Sequence, residues 1–277
     1  MINSILFLGA GLACGVSAAC SRSWLQDVTA DYLKAQAAGQ PAGLPLAPGV
    51  SYAENDTPVD ISKGVLAQPI KIDFSRSIYD TVQCATFTEL TAATNAHPYV
   101  IHTRIFANGD GKISSIESFV SDDGDWAFNA TGHLYWTTQE SWTPIPEGER
   151  TSRAAIQAAA DAYLDQWGNV SLPVPLGTPC QRLEGGTYTG ERNRNTNTCA
   201  MGAFPEPLTV NKRRYIIDEE SGAIDVFNNF PWLEITKLEG TPSSNFIRVE
   251  KGLIRYIHEV TICATVHCGR DAPPPDA

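Results

Sequence analysis

The residues best suited to chemistry cluster in the second half of the chain. His258 lies in the run Ile254-Arg255-Tyr256-Ile257-His258, which reads as a strand. Strict alternation there puts Ile254, Tyr256, His258 and Val260 on one face and Leu253, Arg255, Ile257 and Glu259 on the other. A histidine that titrates near neutrality can give and take protons, as an isomerase, dehydratase or cyclase without a cofactor requires. His258 is therefore the candidate general acid/base, with Arg214 and Glu184 as polarising partners. Tyr256, Arg182, Asp218 and Tyr215 are candidate substrate contacts. A buried Arg beside a carboxylate is costly unless paired, so the competing reading is a salt-bridge network that fixes strand register, with His258 a hydrogen-bonded core residue.

Other chemistry is excluded or weak. GxSxG, HExxH, GxxxxGK and GxGxxG are absent. No CxxC or HxxxH spacing supports a zinc site, and His267 beside Cys268 is a lone pairing. Asn108-Gly109-Asp110-Gly111-Lys112 puts a lysine where a calcium loop needs an oxygen ligand, so it reads as a turn. Neither a metal nor another cofactor is expected. The segment 126–142 is rich in aromatics and reads as an aromatic strand leading into a linker. Its Trp136 and Trp142 are candidates to stack on a flat ligand or to join two domains.

The elements that must position these residues form an echo. Leu25-Gln26 with Tyr32-Leu33 repeats as Ile156-Gln157 with Tyr163-Leu164 at the same spacing; Gly111, Ile113, Ile116 and Phe119 repeat as Gly252, Ile254, Ile257 and Val260. The first set predicts an amphipathic helix opening each half, with Ser23 and Gln26 as a capping box. Strands are predicted at 97–106 and 112–120 around Asn108-Gly109-Asp110-Gly111, and at 212–217, 223–230, 245–249 and 253–262. The fold class is α+β, with two tandem domains at 19–150 and 151–268, each a helix followed by a curved antiparallel sheet. A single large β-sandwich is the alternative.

The export signals agree with one another. Residues 5–16 are apolar and too short to span a bilayer, and Val16-Ser17-Ala18 supplies a cleavage site, so 1–18 reads as a signal peptide; an uncleaved anchor is the alternative. Removal of Cys14 leaves Cys20, Cys84, Cys180, Cys199, Cys263 and Cys268, an even set for three disulfides. The glycine-rich, polar stretch after Cys180 suits a loop closed by Cys199; the other pairings stay open. Asn55, Asn129 and Asn169 are N-glycosylation acceptors. A net charge of −11 argues against nucleic acid and anionic membranes as partners. The proline-bearing tail 269–277 reads as disordered.

Helix first, then long strands ending in a DGKI-type turn, is similar to the cone-shaped domains of nuclear transport factor 2, ketosteroid isomerase and polyketide cyclases. That resemblance implies an apolar pocket in each half. At the level of motifs, Arg182-Leu183-Glu184-Gly185-Gly186-Thr187-Tyr188-Thr189-Gly190, Arg213-Arg214-Tyr215 with Asp218-Glu219, and the strand ending at His258 resemble an uncharacterised family of secreted fungal proteins found beside secondary-metabolite genes. The resemblance implies a small hydrophobic metabolite as partner, and an enzyme of natural-product biosynthesis or a non-catalytic metabolite-binding protein or effector.

Overall fold

A computed structural model describes residues 20–202, 207–234 and 237–269. The leader 1–18 and nearly all of the tail lie outside the described residues. Three helices, α1 (Arg22–Ala38), α2 (Ala130–Thr137) and α3 (Arg153–Asp165), accompany two six-stranded sheets. The first sheet comprises β1 (Leu46–Glu54), β2 (Thr57–Pro58), β3 (Phe74–Asp80), β4 (Ala85–Ala92), β5 (Tyr99–Ala107) and β6 (Ile113–Ser121). The second comprises β7 (Leu176–Glu184), β8 (Thr187–Tyr188), β9 (Asn211–Asp218), β10 (Ala223–Phe230), β11 (Thr241–Glu250) and β12 (Leu253–Thr261).

The strand orders are β2-β1-β6-β5-β4-β3 and β8-β7-β12-β11-β10-β9, so the second sheet repeats the first strand for strand. In each, the strand that follows the long helix pairs parallel with the last strand while the other pairings are antiparallel. The helix N-caps repeat too. Ser21 accepts from the Trp24 amide and Ser152 from the Ala155 amide, so the cap of the first helix lies two residues before the expected one at Ser23.

Each sheet buries one face under its own helix and the other against its partner sheet. Val28 and Tyr32 of α1 cluster with Ile105, Ile113 and Ile116 of the first sheet; Ile156, Tyr163 and Leu164 of α3 cluster with Ile247 and Ile257 of the second. Between the sheets lie Phe87 and Phe119 from the first half and Phe227 and Phe246 from the second, with Phe119 and Phe227 stacked at 3.8 Å. The result is two tandem helix-and-sheet units joined through a mixed aromatic and polar middle layer.

Reciprocal ion pairs lock the units. Arg22, the first residue of α1, binds Asp218 at the end of β9 (2.8 Å), and Arg153, the first residue of α3, binds Asp80 at the end of β3 (2.6 Å). Each aspartate also accepts a backbone amide from the opposite unit, Tyr79 to Asp218 (3.1 Å) and Ile217 to Asp80 (3.0 Å). Disulfides join Cys20 to Cys84, Cys180 to Cys199 and Cys263 to Cys268. They fit a protein of the oxidising secretory route. No helix among the described residues is long and apolar enough to cross a membrane.

Candidate functional site

One residue decides where the chemistry of β12 points. Val249 pairs with Ile254 and Arg248 with Tyr256, so Arg255 is an unpaired bulge and the alternation shifts there. Ile254 therefore lies under α3, whereas Tyr256, His258 and Val260 face the other sheet and Ile257 and Glu259 face α3. The expectation of one uninterrupted face along this strand fails for that reason. His258 belongs to the middle layer, and it is Glu259 that looks into the hollow of the second unit.

In that hollow, parallel pairing sets Glu259 beside Glu184 of β7. Arg182, two residues earlier on β7 and so on the same face, holds Glu184 at 3.1 Å. The carboxylates line a cavity of about 290 Å³ whose walls include Trp126, Trp167, Phe230 and Trp232. Trp167 meets Phe230 edge-on at 4.8 Å. Behind the cavity wall Arg182 also reaches the buried Tyr163 hydroxyl of α3. Burial first, and then the charge of Glu184, push the Glu259 carboxyl up to about 7. Aromatic walls, one cation and one carboxyl able to exchange a proton near neutrality suit a small planar ligand with a polar edge. A larger hollow, about 700 Å³, lies beside Asn55 and Gly240, but its charged pair, Lys212 with Glu239, is exposed.

The middle layer holds a second, sealed constellation. Glu89 on β4 pairs in register with His102 on β5. His133 comes from α2 and His258 from β12, and all four side chains are fully buried. His258 Nδ1 donates to Glu89 Oε1 (2.6 Å) and its Nε2 to Glu140 Oε2 (2.7 Å). Burial opposes a charge on this ring, but Glu140 and Glu89 outweigh it and raise His258 to about 9. Burial would raise Glu89, yet the charge of His258 holds it well below the usual carboxylate range. On the other oxygen Glu89 meets Arg76 at 3.2 Å. Arg76 in turn stacks on Trp142, which covers Phe246 and His258.

Glu89, His102 and His133 could hold a metal, since one ligand atom from each lies within 4.8 Å of the others. Sequence reasoning missed all three. Spacing rules find ligands that share a helix or a turn, whereas these come from two strands and a helix. The available signal was a Glu in the strand-like run 85–92 and a His inside 99–107, each surrounded by residues of strand type.

The other expected site residues scatter. Arg214 pairs with Asp56 (2.6 Å) and Glu117 (3.6 Å) on the first unit, away from both Glu184 and His258 by its partners. The proposed set of His258, Arg214 and Glu184 is thus not assembled: His258 and Arg214 share the face toward the first unit but stand on strands separated by β11 and β10, and Glu184 looks to the opposite face. Asp218 is occupied by Arg22, and Tyr215 donates to Asp161. Tyr256 stacks near Trp142 in the middle layer. Trp136 stacks on Tyr188 at 4.5 Å. The segment expected as an aromatic strand contains α2 instead, because Asn129 caps it by accepting from the Gly132 amide (2.9 Å). That capping asparagine is exposed, as is Asn169, while Asn55 is half-buried and accepts from the Val120 amide.

No curated protein matches the chain. Residues 149–261, which contain α3 and the strands of the second sheet, match the family described as a domain of unknown function, DUF8021.

Proposed function

We propose that this is a secreted small-molecule protein whose working pocket is the tryptophan-lined cavity of the second, cone-like unit. It acts there as an acid–base catalyst, isomerising, cyclising or dehydrating a planar intermediate of fungal secondary metabolism. The observation that carries this reading is the in-register pair Glu184 and Glu259 at the floor of an aromatic cavity, with Arg182 alongside. Arg182 braces Glu184 at 3.1 Å and presents its guanidinium to a substrate oxygen. A carbonyl hydrogen-bonded there becomes more acidic at the adjacent carbon. Glu259, raised towards neutrality, takes that proton and returns it at another position, or delivers it to a departing hydroxyl. The tryptophans hold the ring system flat.

A carrier without turnover is the second reading. It is favoured by the Arg182 to Glu184 ion pair, which already neutralises much of the pocket's charge. The test equilibrates the purified chain with metabolite extract of the producing organism and identifies the bound compounds by mass spectrometry. An enzyme converts the compound and Glu259→Gln binds it unchanged; a carrier returns it unchanged with either protein. If Trp167→Ala and Arg182→Met retain the same compounds as the unaltered chain, the pocket assignment is wrong.

A further inference from the structure

We propose that Glu89, His102 and His133 bind one divalent transition-metal ion, zinc in the first instance, between the two units. This site is separate from the tryptophan-lined cavity and does not depend on what that cavity does.

Three independent features of the cluster point to a cation. The first is distance. His133 Nε2 lies 3.5 Å and His102 Nε2 3.7 Å from Glu89 Oε1, beyond ordinary hydrogen bonds. Ligands bound at about 2.0–2.1 Å in a tetrahedron stand about 3.4 Å apart, so both separations approach those of atoms sharing one ion. The second is orphaned nitrogen. Both Nε2 atoms are completely buried and neither has a hydrogen-bond partner, an unfavourable arrangement when nothing occupies the space between.

The third is the outer layer. His102 Nδ1 meets Ser244 Oγ at 2.7 Å, and that hydroxyl donates onward to Asp225 Oδ1 at 2.7 Å. Ser244 must therefore accept from His102, which fixes the tautomer and leaves the Nε2 lone pair aimed at the carboxylate oxygen. That oxygen already accepts from His258 Nδ1 at 2.6 Å, and a cation placed between it and the two Nε2 lone pairs would relieve their remaining repulsion. His133 Nδ1 has the equivalent hydroxyl partner in Thr91, at 2.9 Å. Metal-bound histidines are oriented in this way by groups behind them. The second unit contributes Ser244 and Asp225 to ligands held by the first, so the ion would also join the two units. Two imidazoles and a carboxylate are the donor set of zinc and of other first-row divalent ions.

The test uses the full secreted chain, purified without chelator and analysed for metals by inductively coupled plasma mass spectrometry. The expected result is about one equivalent of a transition metal per chain. Depleted protein should rebind zinc stoichiometrically in calorimetry, with a rise in melting temperature. Ser244→Ala should weaken zinc binding by roughly 10–100-fold, His102→Gln should abolish it, and the exposed His97→Gln should leave it unchanged. Because His102→Gln can fail to fold, cobalt added to the depleted unaltered chain provides a second reading, the intense visible absorption of a tetrahedral nitrogen and oxygen site. Folded protein that purifies without metal, shows no saturable binding of zinc, manganese, iron(II) or copper, and gives no cobalt spectrum would overturn the proposal.

Discussion

Glu184 on β7 and Glu259 on β12 are register partners across a parallel pair, two carboxylates side by side with a single arginine for both. Burial and the neighbouring charge of Glu184 leave Glu259 holding its proton towards neutrality. Folding therefore binds a proton that the unfolded chain releases. Between the ordinary value of 4.5 and about 7 the folded chain retains the Glu259 proton, so stability falls as pH rises through that window and returns as pH falls. The expected loss is about 2–3 kcal/mol. Urea midpoints at pH 5 and pH 7.5 should separate for the unaltered chain. Asp225, pushed up to about 7 chiefly by burial, adds the same trend; the difference between the chain and Glu259→Gln isolates Glu259. Parallel pH curves for the two would remove the raised carboxyl.

Asp80 should matter for joining the units far more than its position at a strand end suggests. It is fully buried, and Arg153 and the Ile217 amide both reach it from the second unit. Asp80→Ala leaves the Ile217 amide without a partner and Arg153 with only the Ile217 carbonyl at 3.3 Å, and should cost about 3 kcal/mol or more. Asp56→Ala removes the half-exposed Arg214 pair and should cost less than about 1 kcal/mol. Equal effects in urea unfolding would contradict this account of the interface.

The glycines of the Arg182-to-Gly190 motif have a steric cause. Gly185 has φ +58°, and a Cβ there would stand 2.4 Å from the Ala127 carbonyl oxygen; a Cβ on Gly186 would stand 2.3 Å from that of Asn129. The turn after β7 thus presses on the segment that leads into α2 and His133. Gly185→Ala should destabilise by about 2–4 kcal/mol, while the open position Gly252 in the turn before β12 is limited by its φ of +77° alone and should cost less. Thermal melts of the two variants decide this.

The Cys180 to Cys199 bond closes a loop of 19 residues beside the cavity. Replacing both cysteines with alanine should lower stability by about 3 kcal/mol, measured by urea unfolding with the other two bonds intact. A change below about 0.5 kcal/mol would show that the loop is held by its hydrogen bonds, such as Gln181 to the Arg194 and Thr196 carbonyls.

The long helices α1 and α3 and the final hairpins were legible because helical periodicity and the Asn-Gly-Asp-Gly turn are local signals, whereas α2 was read as a strand. β6 at Ile113–Ser121 and β12 at Leu253–Thr261 lie where alternation placed them. β1, β3 and β4 were not read, because β1 and β3 are only partly buried and β4 is buried on both faces, so none alternates clearly. The candidate site was less legible. A single bulge at Arg255 exchanged the roles of His258 and Glu259, and no spacing rule anticipates it. Arg182 and Glu184 do meet, since two residues on one strand share a face. Arg214 belongs elsewhere because its strand lies at the far edge of the same sheet.

The central claim is turnover in the tryptophan-lined cavity by Glu259. It is tested most directly by comparative mass spectrometry of the producing organism carrying the gene, lacking it, or expressing only Glu259→Gln. The account predicts that one metabolite disappears in both altered strains while an isomer or hydrated precursor accumulates. An unchanged metabolite profile in the Glu259→Gln strain, under conditions where the protein is made, would contradict it.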